Sequence, residues 1–158
     1  MVGLALSIAL GAALVGFEGS AHSLSKAELV CRGIPDDQRD GSGLTNPDFI
    51  RAVHKIETET SATDGRSWRG GARMIVTAAP GRTAEGLQRI ADCHAARLVA
   101  FGNLSRTTRS PLDVESAVVL IKPKGNAFTV DIISTDPRAA HEILIRARAL
   151  LPAHAGKR

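Results

Sequence analysis

Tyrosine is absent from the 158 residues, and Trp68 and four phenylalanines make up the whole aromatic complement. Platforms for stacking bases or sugars are therefore nearly missing. The core has to be built from Ala, Val, Ile and Leu, and an ordinary hydrophobic content of 44% supplies them. No run of five like charges occurs. The formal net charge is +4, carried mostly by scattered arginines. A nucleic-acid surface needs a basic patch, so nucleic acid is not the expected partner. There is no internal repeat and no low-complexity segment.

The motifs of chemistry are missing as well. No G-x-S-x-G marks a serine nucleophile, and neither H-x-x-x-H nor C-x-x-C marks a metal chelate. Gly41-Ser42-Gly43-Leu44-Thr45-Asn46 resembles a dinucleotide fingerprint, but Asn stands at the third glycine and no strand precedes it. It reads as a loop leading to an N-cap. Asp36, Asp37 and Asp40 lack the alternate spacing and terminal Glu of a calcium loop.

What is present begins with Met1 to Phe17, an apolar run interrupted only by Ser7. Glu18 ends it, and Gly19 and Ala21 give a small-x-small exit. This pattern predicts an export signal, residues 1–21, cut after Ala21 or, as second choice, after Ser23. No Lys or Arg precedes the run, so the free amino terminus alone supplies positive charge. The alternative is an uncleaved anchor, residues 1–17, as the chain's one link to a membrane. Seventeen helical residues rise about 25 Å, short of a roughly 30 Å hydrocarbon core. Cys31 follows Val30, which argues against a lipoprotein. The expected compartment is periplasmic or extracellular.

Export changes how Cys31 and Cys93 are read. Two cysteines in an oxidising compartment allow one disulfide. It would close a loop of about 60 residues and contribute about 4 kcal/mol in the chain-entropy model. The alternative is two free thiols, or thiols that hold metal.

Residues 22–72 form a polar first block with a short helix near Ser25 to Cys31 and a Gly/Asp-rich loop. Asn46 as N-cap and Pro47 at the first position then predict a helix, with Phe49, Ile50, Val53 and Ile56 as its apolar stripe. Residues 58–72 read as a flexible connector. Trp68 lies in it, as either a contact residue or a plug at the core edge.

Residues 73–152 are more regular. A strand alternates Met74, Val76 and Ala78 with Arg73, Ile75 and Thr77. Thr83 caps a helix whose face is Leu87, Ile90, Ala91, His94, Ala95 and Leu98, and Gly102 ends it. A polar loop runs from Asn103 to Val114. Ala117–Lys122 and a strand through Phe128, Val130 and Ile132 flank a hairpin at Pro123–Asn126. Asp136-Pro137 opens the last helix, buried through Ala140, Ile143, Leu144 and Ala147, with Glu142 and Arg146 paired on its other side. Residues 153–158 are a tail. The order β-α-β-β-α predicts an α+β sandwich with helices on one sheet face. It resembles a split βαβ, ferredoxin-like arrangement without its last strand, preceded by a partly helical segment. Such a fold carries no function by itself.

Cys93-His94 is the most suggestive pair. His94 sits at the centre of the apolar stripe, with Cys93 rotated about 100° away. A buried histidine needs a hydrogen-bond partner. One reading is a satisfied core histidine beside a disulfide. The other is a copper or zinc site using His94 and Cys93, with His54, His141 or Cys31 as further ligands. The leading functional expectation is a non-enzymatic exported module that binds a protein partner or small ligand and uses no cofactor. Metal binding is the alternative, and a hydrolase with an unrecognised site in the first block is a third class.

Overall fold

The computed structural model describes residues 18–62, 65–102 and 110–151. The apolar run read as an export signal and the tail lie outside them. The chain opens with α1 (Glu18–Val30) and a loop holding the short α2 (Ser42–Thr45). Strand β1 (Ile50–Ala62) and strand β2 (Gly65–Thr77) follow, then α3 (Ala84–Phe101), β3 (Val118–Lys124), β4 (Ala127–Ser134) and α4 (Pro137–Ala149). The sheet order is β1-β2-β4-β3, every neighbouring pair antiparallel. Because β4 lies between β2 and β3, the β2-α3-β3 unit is a split βαβ, and the expected α+β architecture holds. The outer position beside β2, vacant in the expected five-element core, is filled by β1 from the first block.

That strand replaces the helix expected from Asn46 to Ile56. The cap was legible: the Asn46 side chain accepts from Asp48 N at 3.0 Å, with Pro47 at the first position. It opens only a 3-10 turn, Pro47–Phe49, and β1 starts at the next residue. The apolar spacing misled because the register shifts between Ile50 and Ala52. A bulge of this kind adds one residue to one strand and resets its alternation. Ile50 and Val53 therefore both stand on the inner face, opposite Val76 and Met74, whereas Ile56 stands opposite Gly71 on the outer face. The expected connector 58–72 is likewise strand, pairing from Thr58↔Arg69 out to Ala62↔Gly65.

The second block follows local chemistry closely. Thr83 Oγ1 accepts from Gly86 N at 3.1 Å, and Asp136 Oδ1 accepts from Arg138 N at 2.8 Å with Pro137 behind it. Each cap satisfies an N–H that a helix start leaves without a partner. Gly102 closes α3 at φ 71°, and Gly125, at φ 59°, turns the β3–β4 hairpin. In β4, Phe128, Val130, Ile132 and Ser134 are buried and face the helices. They pack with Met74, Val76, Leu87, Ile90, Ile143, Leu144 and Ala147. Each fully buried aliphatic side chain of this kind contributes roughly 1.5–3 kcal/mol.

The helices also manage the sheet's edges. Gln88 of α3 accepts from Ile121 N at 2.9 Å and donates to Val119 O at 3.0 Å, so one side chain occupies the free edge of β3. Lys122, Pro123 and Lys124, all exposed, form the end of that strand. On β1, Lys55 pairs with Glu57. Charges and proline on edge strands discourage further pairing.

Helix α1 packs along α3 and is bonded to it. Cys31 and Cys93 form a disulfide with a Cα–Cα distance of 4.8 Å, and both residues are fully buried. The expected cut after Ala21 falls inside α1, so processing there leaves residues 22–30 of the helix attached through Cys31. No helix among the described residues is long and apolar enough to cross a membrane.

The outer sheet face is mixed. Arg73 donates to both carboxylate oxygens of Asp131, at 2.6 and 2.7 Å. The hydrogen bond, then the charge attraction, raises the Arg73 pKa above its ordinary value. Arg73 is about half exposed, so the pair stabilises the fold by at most about 1 kcal/mol.

Candidate functional site

Adjacent residues on a helix point about 100° apart, and α3 uses that geometry at Cys93 and His94. Cys93 turns toward α1 and the disulfide. His94 turns toward a 3-10 turn, Pro111–Asp113, beyond residues 103–109 of the expected polar loop, which lie outside the described residues. There His94 Nε2 lies 2.9 Å from Asp113 Oδ1, with the two side chains 9% and 7% exposed. The burial is nearly complete on both sides, so the pair is a core feature rather than a surface ion pair. The contact suits an Nε2–H that donates to the carboxylate, and in the neutral tautomer that does so Nδ1 is an acceptor.

Three local devices hold the pair in place. The Ser110 hydroxyl accepts from Leu112 N at 3.2 Å, and Pro111 stands at the first position of the turn. Pro111 and Leu112 are buried and anchor it. Arg146 of α4, held by Glu142 at 2.8 Å, donates to Ser110 O at 3.2 Å and ties the turn to the last helix. Above the ring, Gly41 adopts φ 73°, a backbone region that L side chains rarely enter. A Cβ there would stand 2.8 Å from Leu112 Cδ1 and 3.4 Å from His94 Cγ. Gly41 is thus needed for a close approach to the imidazole.

Two cavities meet at the pair. One, of about 560 Å³, lies between α3 and the start of β3, with walls that include Ala91, Leu98, Leu112, Val114 and Val119. The other, of about 410 Å³, opens toward the first block and is lined by polar groups including Arg39, Ser42, Arg97 and Ser110. His94, Leu98 and Asp113 belong to both. A pocket with apolar walls and a few convergent polar groups is the usual form of a small-molecule site.

Among the described residues the ligands of the alternative, metal-binding reading are not brought together. Cys93 is bonded to Cys31, so it has no thiolate to offer. His54 is exposed on β1 and pairs in register with Arg73 on the outer sheet face, with the sheet between it and His94. Among the described residues no group of three or more His, Cys, Asp or Glu could hold a metal ion. His141 lies elsewhere, on α4, beside a small hollow shared with Trp68. Trp68 is half-buried there, on strand β2 and against the edge of the core. Asp40, one of the acidic loop residues, accepts from Ser42 N at 2.9 Å and closes the turn before α2.

Asp113 is the site residue that the sequence reading missed. It falls in a stretch that reads as polar loop. The signal was Ser110-Pro111, a cap followed by proline at a first helical position, next to the apolar Leu112. The chain matches no protein-family model, no curated protein and no solved structure.

Proposed function

We propose that this chain is an exported, non-enzymatic module that binds a small, largely apolar ligand between α3 and β3. One observation carries the reading: a buried His94–Asp113 pair stands in the wall of an apolar cavity of about 560 Å³. A buried titratable pair beside such a cavity is a candidate site with a physical rationale. The walls supply contact area, and the imidazole supplies one oriented hydrogen bond. Arranged in this way, His94 selects for a ligand with a single polar group at one end.

The ligand reading is tested by titrating the protein with a set of apolar fragments that carry one hydroxyl, amide or carboxylate, while recording amide resonances. Shifts are expected to concentrate at Ala91, Leu98, Leu112 and Val119. If every fragment that binds maps to another surface, or none binds at millimolar concentration, this site is not a ligand site.

Export rests on the apolar run Met1–Phe17 and on the buried disulfide, which suits an oxidising compartment. Fractionation of cells that express the full chain is expected to place it outside the cytoplasm. Recovery in the cytoplasm with two free thiols would reject export.

A further inference from the structure

The His94 side chain is 9% exposed, and only its Nε2 has a partner, Asp113. Nδ1 makes no hydrogen bond among the described residues, yet none of their polar side-chain atoms is both sealed and unpaired. Nδ1 therefore keeps an opening to a cavity, and Gly41 locates it. A Cβ built on Gly41 would stand 3.6 Å from Nδ1, and Asp40 and Ser42, on either side of Gly41, both line the polar cavity of about 410 Å³. In the neutral tautomer that donates from Nε2, Nδ1 is an acceptor. A ligand group placed against it has to donate.

Negative charge is in excess in this cavity. Its walls hold the carboxylates of Asp36, Asp40 and Asp113 and the guanidinium groups of Arg39 and Arg97. Glu28 of α1 adds a fourth carboxylate, 3.6 Å from Arg39 and 3.9 Å from Arg97, and Asp36 lies 3.0 Å from Arg39. Both cations are thus answered within the protein. Asp40 is not. One of its oxygens accepts from Ser42 N, and no cation among the described residues pairs with it.

We propose that the polar group of the ligand is a primary ammonium, so that the ligand is a small amphiphilic amine. This rests on the ligand reading above and names the chemistry of the same site. An ammonium has three donors and no acceptor, which matches His94 Nδ1, the second oxygen of Asp40 and the Ser42 hydroxyl. Asp36 and Asp40 are exposed, so an ammonium beside them keeps part of its water and avoids the cost of full burial. The apolar body runs past Leu98, which both cavities share, into the larger cavity between α3 and β3. A carboxylate in the same position would set acceptor against acceptor at Nδ1 and add to the excess of negative charge.

The test uses probes with one six-carbon chain: hexylamine, hexan-1-ol and hexanoate. Each is titrated into the full chain at neutral pH while amide and imidazole nitrogen resonances are recorded. Hexylamine is expected to bind about tenfold tighter than hexan-1-ol, because a charge-assisted hydrogen bond is roughly twice as strong as a neutral one. Hexanoate should bind most weakly. The His94 Nδ1 resonance and the amides of Asp40, Ser42 and Leu98 should move together. Asp40→Asn keeps an oxygen for Ser42 N and removes the charge. It is expected to weaken hexylamine about threefold and to leave hexan-1-ol unchanged. If hexan-1-ol or hexanoate binds as tightly as hexylamine at these residues, the amine assignment is overturned while the ligand site stands. Hexylamine binding that leaves Nδ1 unmoved and ignores Asp40→Asn overturns it as well. If none of the probes binds at millimolar concentration, the ligand site itself fails and the amine assignment goes with it.

Discussion

Removing the disulfide is expected to cost about 4 kcal/mol of stability, from a loop that spans 62 residues. Domains of this size have a total stability of about 5–15 kcal/mol. One bond between α1 and α3 thus supplies a large part of it. The loop contains the segment between α1 and β1, both β1 and β2, and the first half of α3, so the unfolded chain loses much of its freedom when the bond is present. Cys31→Ala with Cys93→Ala should unfold at a markedly lower urea midpoint than the oxidised protein, with the spectrum of the folded sheet retained. Both cysteines are fully buried, so a reductant without denaturant should act slowly. Equal midpoints for the two proteins would show that α1 is held by packing alone, and that the bond has little bearing on the fold.

The second block was legible because its signals are local. Thr83, Asp136-Pro137, Gly102 and Gly125 each act within a few residues, and each occupies the position its chemistry predicts. The disulfide was legible because two cysteines allow one pairing. The first block was misread for a different reason. A strand with a bulge places apolar residues three apart on one face, as at Ile50 and Val53, and a helix does nearly the same. Only the pairing partner, β2, decides between them, and its first half was hidden in a stretch that reads as connector. The Gly70-Gly71 pair looks like a breaker locally. In the sheet, Gly70 makes room for Trp68: an added Cβ would lie 2.5 Å from the indole Cη2. His94 was recognisable as a buried histidine in want of a partner. That partner, Asp113, lies 19 residues away in the sequence. Spacing carries no information about such a contact.

Taking the His94–Asp113 pair apart is expected to show which half of it serves the fold and which serves the site. His94→Leu keeps the apolar volume but leaves a carboxylate buried without its donor. Breaking a buried pair in this way costs about 3–5 kcal/mol. Asp113→Ala strands only the imidazole Nε2, at about 1–3 kcal/mol, and Asp113→Asn costs less again because the amide oxygen still accepts. Removing both groups, as in His94→Leu with Asp113→Ala, should cost clearly less than the two single losses added together. Neither polar group is then left alone, and residues in direct contact couple in this way. Chemical denaturation of the four variants gives the coupling directly. Simple additivity would mean that the 2.9 Å contact carries no energy of its own. The double variant then decides the functional question. Where its denaturation curve shows a folded baseline, a loss of fragment binding cannot be assigned to unfolding. Binding that survives in it would place the recognition in the apolar walls around Leu98 and Val119, with the histidine reduced to a satisfied core residue. Binding lost in the double variant and kept in Asp113→Asn would assign the oriented imidazole as the group that the ligand reads.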